Sequence, residues 1–395
     1  MDILTEEFLS TSLTLKVIGC IFIVALCIQF YYYLHYYTGV WLMARKTKKG
    51  LISYSKQKPP VSVIICAKNE SENLERFLPS ILEQDYPKFE VIVVNDGSTD
   101  ESSNLLERLQ IKYKNLYQTF LPMDAKYHSR KKMCLTVGIK AAQYDHLLFI
   151  EADCQPNSKS WISNMVQNFT PKTEIVLGYS SYKKKEGFLN AMLNYDNIFT
   201  SMQFMGFARK GKTYMGTSRN LAYKKELFFK NKSFASHLDL TLGDDDIHIQ
   251  QIATSDNVQI EFFSKGTTTS YREHTYKTYF AEKDMRMYTG LRYNLRTKAL
   301  IRTELTSRFL SYILALVLFF GFLFHSQFIL AGITAGLFLL RYATQAFVIN
   351  STCLCFREKK MFLSIPLFDL LLPSITLYLY SVRSFTKPRV QQWGA

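Results

Sequence analysis

The sequence predicts an α/β sheet domain held between membrane helices, and three observations carry that prediction. Residues 61–70 (VSVIICAKNE) and 89–100 (FEVIVVNDGSTD) are β-branched runs that each stop at an acidic turn, as buried parallel strands do when they bring side chains to the carboxyl edge of a sheet. Between them, Leu74, Phe77, Leu78, Ile81 and Leu82 fall on one helical stripe of residues 71–84, and a strand–helix–strand crossover of this length makes the strands parallel. Apolar stretches flank this region on both sides within the 395-residue chain.

Taken in order, residues 17–34 carry no charge and run on into aromatic residues as far as Tyr37, the apolar length and interfacial ending of a membrane-spanning helix. An acidic head (Asp2, Glu6, Glu7) and the lack of a small-residue cleavage pattern favour an uncleaved anchor, residues 1–44, over a signal peptide. Arg45, Lys46, Lys48 and Lys49 follow at once, which places the central region in the cytoplasm by the positive-inside rule. Residues 50–275 are then the soluble domain and 276–308 a pair of basic amphipathic interface helices, with Tyr276, Tyr279, Phe280, Met285 and Met287 set to embed in lipid. Residues 309–382 form a membrane region of two spans, 309–324 and 328–349, plus a stretch, 361–382, whose Pro366, Asp369 and Pro373 make it a third span or a re-entrant segment. Residues 383–395 are a basic tail. Arg341, inside the second span, is expected to snorkel or to face protein, and to lie near a cytoplasmic interface.

The net charge of +15 raises the possibility of a nucleic-acid partner. The basic residues, however, crowd beside the apolar stretches, at 45–49 and at Arg292, Arg296, Lys298, Arg302 and Arg308, which is the distribution of a surface facing anionic lipid. A multi-pass protein of the cell (inner) membrane with no nucleic-acid partner is expected. The seven cysteines are scattered without the paired spacing of a zinc site.

After the second turn, Asp100 caps a helix ending near Lys112, residues 115–121 read as a third strand, 131–142 as a helix, and 146–150 (HLLFI) as a buried strand that ends at Glu151 and Asp153. Two carboxylates one residue apart at a strand exit can reach one hard divalent cation, Mg²⁺ or Mn²⁺, although a solvated acidic turn has the same pattern. Further on, residues 243–246 (GDDD) set three acids at a helix start, where capping and dipole complementarity are the simplest roles.

The segments VSVIICAKNE, VIVVNDGSTDES, SRKKMCLTVGI and LLFIEADCQP occur in the order and spacing of glycosyltransferase family 2, and residues 60–290 resemble its membrane-bound bacterial members. The resemblance implies a GT-A fold, Rossmann-like in its first half, and a nucleotide-diphosphate sugar donor, UDP-linked. It implies that Ala67 and Glu70 lie against the nucleoside, that Asp96 accepts a hydrogen bond from the base, and that Lys131 follows the donor toward its diphosphate, with Lys132 a possible stand-in one position on. It further implies a cation at Asp153 and Glu151, where the family usually has aspartate in place of the glutamate.

On the acceptor side, YMGTSRNLAY contributes Gly216, whose small side lets the backbone approach a sugar, and Arg219. The family's E-D-x-D-L pattern maps its base onto Asp244, with Asp245 in reserve and Gly243 where a glutamate is usual. The family's Q-x-x-R-W segment finds a degraded counterpart in EKDMRMYTG, which contributes Lys283 and Arg286. The implied reaction is inverting transfer of a sugar to a hydroxyl of a lipid-linked or cell-envelope glycan. Two alternatives stand beside it. A metal-dependent nucleotidyl or phosphoryl transferase also needs acids at strand ends, and residues 206–213 (GFARKGKT) match the G-x-x-x-x-G-K-[ST] pattern such an enzyme would be expected to bring. A catalytically dead membrane scaffold is motivated by Glu151, Gly243 and the weak 282–290 segment.

Overall fold

The computed structural model describes residues 3–122, 129–240 and 242–383. Helices α1 (Ile3–Ser10), α2 (Leu13–Tyr31) and α3 (Gly39–Lys48) come first, the last two joined through a π-helical stretch, Tyr32–Tyr37. The unbroken Leu13–Lys48 rod, 36 residues, is long and apolar enough to cross a membrane.

The sheet domain follows as β1 (Val61–Ala67), α4 (Ser71–Leu82), β2 (Phe89–Asn95), α5 (Ser102–Lys112), β3 (Leu116–Phe120), α6 (Arg130–Ala141) and β4 (His146–Phe149). These strands lie parallel in the order β3-β2-β1-β4, with Ala67 registered against Asn95 so that the turns after β1 and β2 sit side by side. The α4 stripe is the predicted one. Leu74, Phe77, Leu78 and Ile81 are each 1% exposed, worth roughly 1.5–3 kcal/mol apiece in burial. Asp100 caps twice, accepting from the Ser71 amide that opens α4 and from the Ser102 amide that opens α5.

Beyond β4 the chain forms β5 (Cys154–Pro156), α7 (Trp161–Val166), β6 (Ile175–Gly178), β7 (Ser180–Tyr182), α8 (Phe188–Ala208), β8 (Leu221–Lys224), α9 (Lys225–Lys230), α10 (Ile247–Ile252), β9 (Val258–Glu261) and β10 (Thr268–Ser270). Strand β8 runs antiparallel between β4 and β6, and β9 closes the seven-stranded sheet. Strands β5, β10 and β7 make a small second sheet beside the β4 exit. Helices α11 (Tyr276–Gly290), α12 (Leu295–Phe324), α13 (Phe328–Phe356) and α14 (Ser364–Arg383) complete the described chain.

Three expectations for this last part change. The basic stretch before 309 is not a separate interface element, because α12 runs from Leu295 through Phe324 as one helix, long and apolar enough to cross a membrane, as α13 also is. Helix α11 does not lay all its aromatics on lipid: Tyr279 is 2% exposed and its hydroxyl donates to Asp196 of α8. Arg341 does not snorkel. It is wholly buried, donating to Asp369 Oδ2 (2.9 Å), Gln29 Oε1 (3.0 Å) and Gln345 Oε1 (3.2 Å). Arg308 is drawn into the same cluster, pairing with Glu304 and Asp369 at 3.3 Å each. The last stretch, α14, is one helix through Pro373, with its apolar part, Ser364–Leu379, shorter than the three long spans. The tail beyond it, with Lys387 and Arg389, lies outside the described residues.

Candidate active site

The turns after β1 and β2 clasp each other. Asn69, at φ 54°, accepts the Thr99 amide on its side chain (2.8 Å), while Ser98 accepts the Asn69 amide (2.9 Å). Ala67 is fully buried at the strand end, and its carbonyl accepts the Asp96 amide. Glu70 accepts from Asn73 (2.6 Å), and burial pushes its carboxyl up, with nearby Asp153 adding to the effect. Asp96 is 1% exposed. Its Oδ1 takes both Nε and Nη2 of Arg130, at 2.6 and 2.5 Å, whereas its buried Oδ2 has no partner among the described residues. Arg130, the first residue of α6, was missed in the sequence because nothing in the SRKK run separates it from its neighbours.

At the next residue, Lys131 is the hub of the site. Its Nζ lies 3.1 Å from each of Glu151 Oε1, Ser218 Oγ and Asp244 Oδ2. Burial opposes its charge, but Asp244 and Glu151 outweigh that and hold it protonated. Glu151 is likewise pushed up by burial and then carried down to about 2 by Lys131, Arg219 and Ser218. Lys132, the possible stand-in, is excluded from this role. It is fully buried, with Nζ donating to the carbonyls of His237 (2.5 Å) and Leu240 (2.9 Å), and burial lowers it to about 8.

Asp153 is buried, accepting from Ser270 Oγ (3.2 Å) and Cys154 Sγ (3.1 Å). Burial and the neighbouring Glu151 push its carboxyl up. Ligand atoms of Glu151, Asp153 and Cys154 lie within 4.8 Å of one another. Burial also holds the Cys154 thiol well up, so the usable donors are two carboxylates, a hard oxygen set that suits Mg²⁺ or Mn²⁺. A cation there would relieve the repulsion that raises Asp153.

The three consecutive acids separate into three roles. Gly243 adopts φ 116°, and a Cβ on it would meet His237 at 3.0 Å, so a glutamate at this place would be strained. Asp244 is 4% exposed and faces Lys131. Asp245 is partly exposed, accepts the Ser218 amide on Oδ2 (3.4 Å), and is pushed up to about 7 by burial and then by Asp244, with Arg286 opposing. Asp246 caps α10 through the Ile247 amide and also accepts from Thr289 (2.5 Å) and Tyr293 (2.8 Å), which fastens α10 to the segment around α11. Gly216, expected to face a sugar, is instead spent on packing. Its amide donates to the Asp245 carbonyl at 2.6 Å, and a Cβ would sit 3.0 Å from Leu177.

Arg219, Lys283 and Arg286 come together across a narrow cavity of about 60 Å³ between α8 and α11. A larger cleft of about 610 Å³, lined by Ser53, Lys56, His146 and Phe169, opens at the amino end of β4, the edge of the sheet away from the acids. Ligands of open α/β sheets sit at the carboxyl ends, and the titratable groups converge there.

Residues 62–230 match the family model described as glycosyl transferase family 2. Among curated proteins, the chain is 27% identical over 215 residues to a poly-beta-1,6-N-acetyl-D-glucosamine synthase of Staphylococcus aureus (52% of this chain, 49% of that protein). It is 26% identical over 199 residues to the synthase of that name from Staphylococcus epidermidis (49% and 44%). The chain thus spans about half the length of the curated relatives it matches. Among solved structures, a mannosyltransferase of Pyrobaculum calidifontis, PcManGT, in complex with GDP-Man and Mn²⁺ superposes with a TM-score of 0.52 at 18% identity, covering 93% of this chain and 98% of that one. The fold is therefore the GT-A type.

Proposed function

Since residues 62–230 form a glycosyl transferase family 2 domain, the catalytic domain of a glycosyltransferase, we propose that this chain moves a sugar from a nucleotide-diphosphate sugar to an acceptor hydroxyl, with inversion at the anomeric carbon. The observation that carries the reading is the convergence of Glu151, Asp244 and Ser218 on Lys131, with Asp153 and Asp245 on either flank. The donor base lies in the Ala67–Glu70–Asp96 turn, where the unpartnered Asp96 Oδ2 accepts a ring N–H. A UDP-linked sugar fits, since the uracil ring offers one. Lys131 provides fixed positive charge beside the diphosphate as its bond to the sugar breaks. A divalent cation held by Asp153 and Glu151 would add charge stabilisation at the same leaving group.

Against the expectation of Asp244 as base with Asp245 in reserve, the geometry favours Asp245 as the base. Asp244 is committed to Lys131, whereas Asp245 is partly open and its carboxyl sits near neutrality, where proton acceptance is efficient. A single in-line displacement, with Asp245 taking the acceptor proton, gives inversion. The acceptor is a lipid-linked or envelope glycan, reached from a cytoplasmic domain that rests on anionic lipid.

Full-length chain in membranes, supplied with UDP-N-acetylglucosamine, UDP-glucose or GDP-mannose and Mn²⁺, tests this. Release of nucleoside diphosphate that is lost in Asp245→Asn supports the reading. Turnover that survives Asp245→Asn but not Asp244→Asn would return the base to Asp244. No turnover with any donor, in chain that still binds nucleotide, would favour the scaffold reading.

A further inference from the structure

The cavity between α8 and α11 holds more cationic charge than its own carboxylates use. Lys283 is committed to Asp196 at 2.6 Å, and Glu282 is taken by Arg272 at 3.4 Å. Arg219 and Arg286 remain, and neither forms an ion pair with a carboxylate among the described residues. Arg219 lies over the Tyr182 ring at 4.4 Å, with Nη2 on Asn197 (3.1 Å) and Nε on Thr217 (3.3 Å), which leaves Nη1 buried and without a partner among the described residues. Arg286 lines the same cavity, and the acid that most favours its charge, Asp245, already accepts the Ser218 amide.

A buried guanidinium N–H without an acceptor is costly. Two guanidiniums that line one cavity, Arg219 held there by stacking and neutral hydrogen bonds, offer a fork for a tetrahedral oxyanion. The donor's diphosphate already has Lys131 and the Asp153–Glu151 pair. The cavity instead opens between the sheet domain and helices that pack on the apolar bundle, beyond Asp245.

We infer that the acceptor carries a phosphate group, and that Arg219 and Arg286 hold it while the acceptor hydroxyl reaches Asp245. The inference rests on the glycosyltransferase reading and specifies its acceptor. In the transfer, the anomeric carbon leaves the diphosphate oxygen and bonds the acceptor hydroxyl oxygen, whose proton passes to Asp245. The phosphate is an anchor and stays unchanged. Its source is either a phosphorylated lipid or a phosphorylated glycan.

The test is binding to full-length chain in detergent micelles, using farnesyl phosphate against farnesol, and glucose 6-phosphate against glucose, with UDP plus Mn²⁺ measured in parallel. At least one phosphate probe is expected to bind about 10- to 100-fold tighter than its uncharged counterpart, and Arg219→Gln or Arg286→Gln should remove that advantage while UDP affinity holds. Arg286→Lys should keep part of it. Preference for farnesyl phosphate supports the lipid source, and preference for glucose 6-phosphate the glycan source. A chain that binds UDP but gains nothing from phosphate on either probe overturns this inference alone. Variants that weaken UDP as much as the phosphate probe also overturn it, by assigning the arginines to the donor. A chain that binds neither UDP nor any phosphate probe overturns the parent reading as well.

Discussion

Two buried charge clusters in this molecule are built from the same residue types to opposite ends. In the helix bundle, two acids meet two arginines: Asp369 takes Arg308 and Arg341, and Glu304 takes Arg308, with Gln29 and Gln345 completing the shell. That cluster is neutral and its charges are paired within the protein, although Glu304 Oε1, Arg308 Nε, Arg341 Nε and Gln345 Nε2 have no hydrogen-bond partner among the described residues. At the sheet edge, Lys131 stands among Glu151, Asp153, Asp244 and Asp245, with a surplus of acid and with oxygens, such as Asp244 Oδ1 and Asp96 Oδ2, that lack a partner among the described residues. The difference separates a cluster that holds helices together from one that waits for ligands. Buried charge in an apolar setting is expensive, so a charge-balanced cluster points to architecture and one with surplus acid to function.

The largest effect should come from breaking the bundle cluster. Asp369→Ala strands two arginines in the bundle and should cost about 3–5 kcal/mol, read as loss of monodisperse protein in detergent and a lower unfolding temperature. The double variant Asp369→Leu/Arg341→Leu removes one charge of each sign and leaves the Glu304–Arg308 pair. It should recover a large part of that loss. If Asp369→Ala were as stable as the native chain, the bundle cluster would not be structural.

Next comes the sheet-edge cluster. Asp245→Asn should lower turnover by roughly 10² to 10⁴ while leaving folding and nucleotide affinity intact, as expected for a lost general base. The sign of the pH dependence follows from the carboxyl sitting at about 7. The protonated form cannot accept a proton, so the rate should fall about tenfold per unit below pH 7 and level off above it, whereas Asp245→Asn should show no such limb. A flat native profile from pH 5.5 to 8 would reject Asp245. Asp153→Ala bears on the acid surplus: UDP affinity in the native chain should drop on chelation, and in this variant it should no longer respond to Mn²⁺.

How much of this was legible follows from the same contrast. The strands, α4, and the acids at 96, 151 and 153 were readable because each is set by local pattern, an apolar run cut short by a turn. Helix α8 was not, since residues such as Tyr195, Ile198, Phe199, Met202 and Met205 bury it on nearly every side, leaving no stripe to see. The Arg341–Asp369 pair escaped because a mid-span charge has two solutions, snorkelling or a buried partner, and only tertiary packing chooses between them. The choice between Asp244 and Asp245 was not legible because only the fold separates them, burying Asp244 against Lys131 and leaving Asp245 partly exposed.

The smallest effect sharpens the hub itself. Lys131 and Lys132 are adjacent, yet one is a site cation and the other a brace for the 237–240 loop. Lys132→Met leaves two buried carbonyls without a donor and should cost about 1–3 kcal/mol, with nucleotide affinity unchanged. Lys131→Met should do the reverse, weakening UDP binding most. The pH response distinguishes them further. Burial lowers the Lys132 ammonium from 10.5 to about 8 in the folded chain, so between those values the unfolded chain holds more protons and native stability rises with pH. Lys132→Met should lack that rise. If both methionine variants weakened UDP binding alike, the brace and the site cation would be one functional unit, and the assignment of Lys131 as the sole diphosphate lysine would fail.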